Sequence, residues 1–98
     1  MIKVKRVEII ANCLDIKTVI KEMEQVGIDG YSVIRGVSGR GKHGKTRGES
    51  HIDSMTSCYI MAACPDEQVD ALVKAVTPLL KRFGGLCLVS DALAVEFE

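Results

Sequence analysis

Residues 55–83, MTSCYIMAACPDEQVDALVKAVTPLLKRF, decide the fold because a strand and a helix meet in them. The first ten residues are predicted to form a strand, which ends at Pro65 because proline cannot donate a hydrogen bond to a sheet. Asp66 and Glu67 then place negative charge where the positive end of a helix dipole would lie. Apolar residues recur along one face of this helix, at Val69, Leu72, Val73, Val76, Leu80 and Phe83.

A similar strand and helix come earlier in the chain. Residues 2–11 mix alternating apolar and charged side chains with β-branched residues, which predicts a half-buried strand. Asp15 can cap a helix that Gly27 ends, and helical spacing relates the apolar residues Ile16, Val19, Ile20 and Met23. Two further strands are predicted, one over residues 31–37 and one from Leu86 to about Phe97.

The predicted order is strand, helix, strand, strand, helix, strand within a single domain, residues 1–98. This βαββαβ order, with both helices on one face of a four-stranded sheet, is typical of the ferredoxin-like α+β sandwich. The other face of the sheet would stay uncovered, and so short a chain buries only a modest core, so we expect subunits to associate. The fold alone assigns no function.

Composition narrows the class of protein. Thirteen Lys and Arg balance thirteen Asp and Glu, which argues against a dedicated nucleic-acid or membrane-surface binder. No apolar stretch approaches the roughly 20 residues of a membrane span, and the first ten residues lack the apolar core of a signal peptide, so we expect a cytoplasmic protein. The four cysteines match no CxxC or zinc spacing and are expected to be reduced, small apolar residues.

The segment after the second predicted strand carries the chemical information. Residues 36–50, GVSGRGKHGKTRGES, combine five of the nine glycines with Arg40, Lys42, Lys45 and Arg47. Glycine lets backbone N–H groups approach an anion and the basic side chains supply charge, so the segment suits a phosphate or a carboxylate. Its GRGKHG satisfies GxGxxG, but no helix is predicted to follow, so a dinucleotide-binding turn is not expected. A solvated, flexible loop remains the alternative.

Two further motifs complete a resemblance to a known family. The sequence GIDGYSV at residues 27–33, the glycine-rich loop, and CPDEQVD at residues 64–70 resemble the PII and PII-like signalling proteins over nearly the whole chain. The resemblance implies a homotrimer that binds an adenine nucleotide in clefts between subunits and acts as a sensor, not as an enzyme. Residues of about 38–54 would be the mobile T-loop, through which a target protein is regulated.

The resemblance also implies the binding residues. Ser32 stands near the nucleotide base, the loop base faces the phosphates, and the turn after the second helix forms a shortened second binding loop. The implied nucleotide-binding residues are Ser32, Gly39, Arg40, Gly41, Lys42, Phe83, Gly84 and Gly85.

Departures from the nitrogen-sensing PII proteins indicate a different signal. Ser57, Leu86 and Phe97 stand where those proteins have basic residues, which favours ADP or AMP over ATP. Lys42 and His43 follow Gly41 where a glutamine would serve 2-oxoglutarate, so nitrogen sensing is not expected. The chain looks closer to relatives associated with inorganic carbon, which suggests bicarbonate as a second ligand and a membrane transporter as the regulated partner. No resident cofactor is expected.

Other readings stay open beside this one. His43 and His51, with Glu49 and Asp53, could bind metal in a trimer of the same fold, or the protein could be an interaction module that needs no nucleotide. RNA binding is weakly supported because only Tyr59 offers an aromatic ring on the third predicted strand. Acylphosphatase-like chemistry would need an anion loop after the first strand, where residues 12–14 are an ordinary Asn-Cys-Leu.

Overall fold

A computed structural model describes residues 1–40 and 56–97 and confirms the predicted order of elements. The elements are β1 (Ile2–Asn12), α1 (Ile16–Gln25), β2 (Ser32–Val37), β3 (Ser57–Cys64), α2 (Asp66–Phe83) and β4 (Leu86–Ala94). The strands form one sheet in the order β2-β3-β1-β4, with each neighbouring pair antiparallel. This is the ferredoxin-like α+β sandwich.

The core lies between the helices and one face of the sheet. In the strand register Val7 faces Ala62 and Ile9 faces Ile60, which puts alternate residues of β1 and β3 on the same face. Burial of each large side chain here contributes about 1.5–3 kcal/mol. The buried residues are Val7, Ile9, Ala11, Ile16, Val19, Met23, Ile28, Cys58, Ile60, Ala62, Cys64, Leu72 and Val76.

The end of α1 follows from its sequence, whereas its start does so only in part. Gly27 has a φ of 95°, and the Ile28 N–H donates to the Met23 carbonyl at 3.0 Å, which is the hydrogen bond of a Schellman cap. Met23 and Ile28 are both buried, so an apolar contact accompanies the cap. Asp15 occupies the N-cap position, but its side chain makes no capping hydrogen bond.

The opposite face of the sheet is covered by no helix and carries large apolar side chains. Ile2, Ile34, Leu86 and Leu88 are each about half exposed there, between 47% and 56%. We call this surface the open face; it is the face that the sequence predicted to need a covering subunit.

Two predictions from sequence were wrong. The last strand ends at Ala94 and not near Phe97, because Ala94 pairs with Ile2 at the beginning of β1 and no β1 residue lies beyond it. The cysteines are not all reduced, since Cys13 and Cys58 form a disulfide while Cys64 and Cys87 are free thiols. The bond is possible because the end of β1 runs beside the start of β3, where Ala11 faces Cys58.

Candidate functional site

The first part of the candidate site is the chain that leaves β2. The β2–β3 pairing shifts register between Arg35 and Val37, and Gly36 at this irregularity has a φ of 81°, which glycine adopts without strain. Val37 still pairs with Ser57 beyond the shift, and Gly39 and Arg40 follow as exposed residues. Within the described residues the Arg40 guanidinium has no ion-pair partner, so it is available to an anion.

The second part is the turn between α2 and β4. The Gly84 N–H donates to the Leu80 carbonyl at 2.8 Å and ends the helix, with a φ of 88° at Gly84 and 141° at Gly85. A Cβ atom on Gly85 would lie 2.6 Å from the Ile10 carbonyl oxygen, so only glycine lets this turn approach the sheet so closely. The turn is therefore held firmly against the end of β1.

A basic residue beside this turn was not identified from sequence. The Arg82 guanidinium carbon lies 5.5 Å from the centre of the Phe83 ring, and Arg82 itself is exposed. The stacking holds positive charge next to the glycine pair, at the place where Leu86 offers none. The sequence signal was the position of Arg82 immediately before Phe83, which helical periodicity assigns only to the solvated face of α2.

The two parts lie at the same end of the sheet but on opposite edges of it. The end of β2 and the start of β4 are separated by β3 and β1, which amounts to about 14 Å for three strand spacings. Ser32 faces Met61 at the other end of β2, roughly 17 Å from Val37 for five strand residues. A single chain therefore does not gather all the predicted residues around one small molecule.

Several predicted residues fall outside the described part of the chain. Gly41 and Lys42 of the nucleotide set lie there, as do most of the predicted T-loop and the four residues of the metal alternative, His43, Glu49, His51 and Asp53. Within residues 1–40 and 56–97, no group of three or more His, Cys, Asp or Glu side chains is placed to hold a metal ion.

At the other end of β1, Lys3 and Lys5 lie beside two carboxylates, those of Asp66 and Asp91. A depression of about 430 Å³ lies there, and Lys5 inside it contacts Asp91 at 2.5 Å and Asp66 at 3.8 Å. The hydrogen bond to Asp91 raises the pKa of Lys5, and the same bond lowers the pKa of Asp91. Because carboxylates already balance this lysine, the depression is a poorer anion site than the end that carries Arg40 and Arg82.

The structure defines a small α+β sandwich with glycines at two exposed turns, and comparisons of sequence and structure give its family. The family described as Nitrogen regulatory protein P-II matches residues 4–96, and the chain belongs to that family. A search of curated proteins found no significant match. Neither helix in the described part of the chain has the length and apolarity that a bilayer crossing requires.

Solved structures of PII-like proteins share the fold. CPII from Thiomonas intermedia K12, bound to ADP and bicarbonate, is 28% identical, with a TM-score of 0.78 over 92% of this chain and 86% of that one. The same protein bound to ADP, AMP and acetate aligns at 23% identity, with a TM-score of 0.81 over 97% and 91%. Bacillus subtilis GlnK in its ATP complex aligns at 16% identity, with a TM-score of 0.67 over 94% and 84%. The chain is thus a PII-family signalling protein of the PII-like kind.

Proposed function

We propose that this protein is a homotrimeric sensor that binds ADP or AMP in clefts between its subunits. The observation that carries the proposal is the division of the site, with Gly39 and Arg40 beside one edge strand and Gly84 and Gly85 beside the other. When the open faces of three sheets pack together, the edge of one subunit can approach the edge of the next. The cleft between them can then bring the loop-base residues of one subunit close to the Gly84–Gly85 turn of the next.

The chemistry of the described residues suits a nucleotide diphosphate. Arg40 can donate two hydrogen bonds to phosphate oxygens, and the backbone N–H groups around Gly39 can approach them without a side chain in the way. Arg82 adds a second positive charge beside the Gly84–Gly85 turn. Ser57 is half-buried beside Asn12 and Leu86 is an exposed apolar residue, so neither position supplies the charge that would favour a triphosphate.

Bicarbonate is the second ligand of this proposal, and a target protein is the partner. The 28% identical CPII was solved with ADP and bicarbonate, which makes the pair a natural choice for this chain. Bicarbonate is a small anion and could share the environment of Arg40 and Lys42. We propose that the trimer works in the cytoplasm and that the bound ligands change how it contacts a protein such as an inorganic-carbon transporter.

Calorimetry of the purified protein tests the proposal. ATP, ADP, AMP and cyclic AMP are titrated separately, with and without bicarbonate, at matched pH and ionic strength. One saturable site per chain, with ADP or AMP bound more tightly than ATP, supports it. No binding of any nucleotide, together with an unchanged melting temperature, would reject the sensor function and favour an interaction module or a metal-binding trimer.

A further inference from the structure

The Cys13–Cys58 disulfide joins two segments that are 45 residues apart in sequence, with Cα atoms separated by 5.1 Å. Cys13 lies in the turn between β1 and α1, and Cys58 is the second residue of β3. The Cys13 N–H also donates to the Thr56 carbonyl at 2.9 Å, so the bond reinforces a backbone contact at the start of β3. The cross-link therefore ties this turn to the strand that begins where the long loop ends.

The two sulfurs differ in their surroundings. Cys58 is fully buried, whereas Cys13 is a partly exposed residue. Arg35 on β2 faces Cys58 in the register and directs its Nη1 toward the Cys58 sulfur at 3.9 Å. A guanidinium at this position stabilises negative charge on the sulfur, which favours Cys58 as the leaving group when another thiolate attacks Cys13.

The other two thiols lack an adjacent cation. Burial raises the pKa of Cys64, with the Asp66 carboxylate contributing, and burial also raises the pKa of Cys87. Neither has a basic side chain within hydrogen-bonding distance in the described structure. The chain thus contains one cysteine pair with an adjacent cation, and two thiols without one that serve as an internal comparison.

We propose that Cys13 and Cys58 form a reversible thiol–disulfide exchange site for cellular dithiols, and that its redox state regulates the ligand site at the end of β2. Disulfides in cytoplasmic proteins are usually transient and redox-sensing, so a cytoplasmic location favours a regulatory bond over a permanent one. The regulatory half of the inference rests on the proposed nucleotide-binding function.

The chemical step balances as a two-electron exchange. A thiolate of the dithiol attacks the Cys13 sulfur, the Cys13–Cys58 bond breaks, and Cys58 leaves as a thiolate beside Arg35. The second thiol of the reductant loses its proton and attacks the mixed disulfide, which releases Cys13 as a thiolate. The two protons from the reductant are available to the two protein thiolates through solvent, and the reductant becomes a disulfide. The reverse reaction, with that disulfide as oxidant, restores the bond.

The link to the ligand site runs through Arg35. In the oxidised protein the Arg35 guanidinium faces a neutral sulfur, whereas after reduction it faces a sulfur that can carry negative charge. Arg35 precedes Gly36, the irregular position of β2, and Gly39 and Arg40 follow a few residues later. A new ion pair at Arg35 would reduce the positive potential at the phosphate site, so we expect weaker ADP binding in the reduced protein.

The exchange itself is tested on the folded, full-length protein. The protein is incubated in dithiothreitol, quenched with iodoacetamide without denaturant, and mapped by peptide mass spectrometry. A second label, N-ethylmaleimide, is added after denaturation: Cys13 should carry the first label, the buried Cys58 should be a free thiol that takes the second, and the buried Cys64 should take only the second, whereas oxidised protein should leave Cys13 and Cys58 unlabelled. Oxidised glutathione should restore the bond in an unquenched sample. A bond that is absent from oxidised protein, or that is reduced only in denaturant, would overturn the proposal.

Arg35 gives a second readout. Arg35→Ala should slow native-state reduction several-fold, and Arg35→Lys should restore most of the rate because it returns a cation to the same place. Lys3→Ala, which removes an exposed cation at the opposite end of β1, is the matched control. Equal rates in all three variants would overturn the role assigned to Arg35.

The regulatory half is tested by ADP calorimetry on oxidised protein, reduced protein and the Cys13→Ala variant. Reduced protein and Cys13→Ala should share a lower affinity than the oxidised form, by about threefold or more. Equal affinity in all forms would overturn the regulatory half. If none of them binds ADP, the nucleotide function fails and the regulatory half with it, while the alkylation experiment still decides whether the exchange site exists.

Discussion

Tyr59 on β3 donates a 2.6 Å hydrogen bond to the Glu8 carboxylate on β1, and both side chains lie on the open face. Arg6 lies 3.7 Å from the other oxygen of the same carboxylate, so three polar groups form a chain across this surface. An interface that covers this face must accommodate a charged cluster, which would restrict how subunits can be placed against each other.

Alkaline titration should detect the Tyr59–Glu8 bond. The hydrogen bond from Tyr59 to the Glu8 carboxylate raises the pKa of Tyr59, and a bond to Glu24 raises the pKa of Tyr31. Because the folded pKa lies above the unfolded value of 10.0, the stabilisation is present below pH 10 and is lost as pH rises through the folded pKa. Near-ultraviolet absorbance should therefore show both phenolates forming at higher pH in native than in denatured protein.

The Tyr59→Phe variant assigns that titration. Tyr59→Phe should remove one of the two phenol titrations that occur at raised pH and leave that of Tyr31 unchanged. Tyr31→Phe should remove the Tyr31 titration and leave that of Tyr59. Native and denatured protein that titrate alike would show that neither carboxylate contact persists in solution.

The open face should mediate assembly, and two leucines of β4 provide a matched test. Leu88 faces Glu8 on the open face and is 50% exposed, whereas Leu93 faces Lys3 on the opposite face and is 58% exposed. Leu88→Glu would bury an unpaired charge between subunits, at a cost of several kcal/mol, so light scattering should show loss of the trimer. Leu93→Glu should remain trimeric; dissociation of both variants, or of neither, would place the interface elsewhere.

The close approach at Gly85 should make that turn intolerant of a side chain. Gly85→Ala places a Cβ against the Ile10 carbonyl at a positive φ, which we expect to cost about 2–5 kcal/mol in the free energy of unfolding. Gly30→Ala is the control, because its Cβ would meet no atom within 4 Å and its φ is not in the left-handed region. Urea unfolding should leave that variant within about 0.5 kcal/mol of the parent. Equal stabilities would mean that the turn relaxes away from β1.

Arg40 should contribute to ligand binding and little to folding. Arg40→Ala removes charge-assisted hydrogen bonds worth about 1.5–3 kcal/mol, so calorimetry should show ADP affinity lower by roughly 10-fold to 100-fold. Thermal unfolding should be unchanged because the side chain is exposed and has no ion-pair partner in the described structure. Lys21→Ala, an exposed cation on α1, should bind like the parent; unchanged affinity in Arg40→Ala would remove this residue from the site.

The fold was predictable because its signals are local. Pro65 followed by Asp66 fixed the β3–α2 junction, and Gly27 marked the end of α1 through a cap that needs a positive φ. The end of β4 was not predictable from its own residues, since Val95 and Phe97 suit a strand. What ends β4 is the lack of a β1 residue to pair with, and that depends on the register between two distant segments.

The candidate site and the disulfide were also only partly predictable from the sequence. The glycines and Arg40 could be identified from composition, but Arg82 looked like an ordinary solvated residue until its stacking on Phe83 was seen. Cys13 and Cys58 belong to no spacing motif, so only the pairing of β1 with β3 reveals that they meet. Contacts set by strand pairing cannot be inferred from the residues on either side alone.

Reduction of the disulfide should lower the free energy of unfolding by an amount that depends on the number of residues between the two cysteines. The bond closes a loop of 45 residues. In the chain-entropy model, breaking it raises the entropy of the unfolded chain and so lowers the free energy of unfolding by about 4 kcal/mol; measured losses are usually about 2–4 kcal/mol. Urea unfolding with a non-absorbing reductant should therefore show a lower midpoint with little loss of native structure at zero urea. A Cys13→Ser/Cys58→Ser variant should match the reduced parent and should not respond to reductant. A reductant-dependent shift in that variant would assign the effect to Cys64 or Cys87, and an unchanged midpoint in the parent would mean that the cross-link constrains folded and unfolded chains alike.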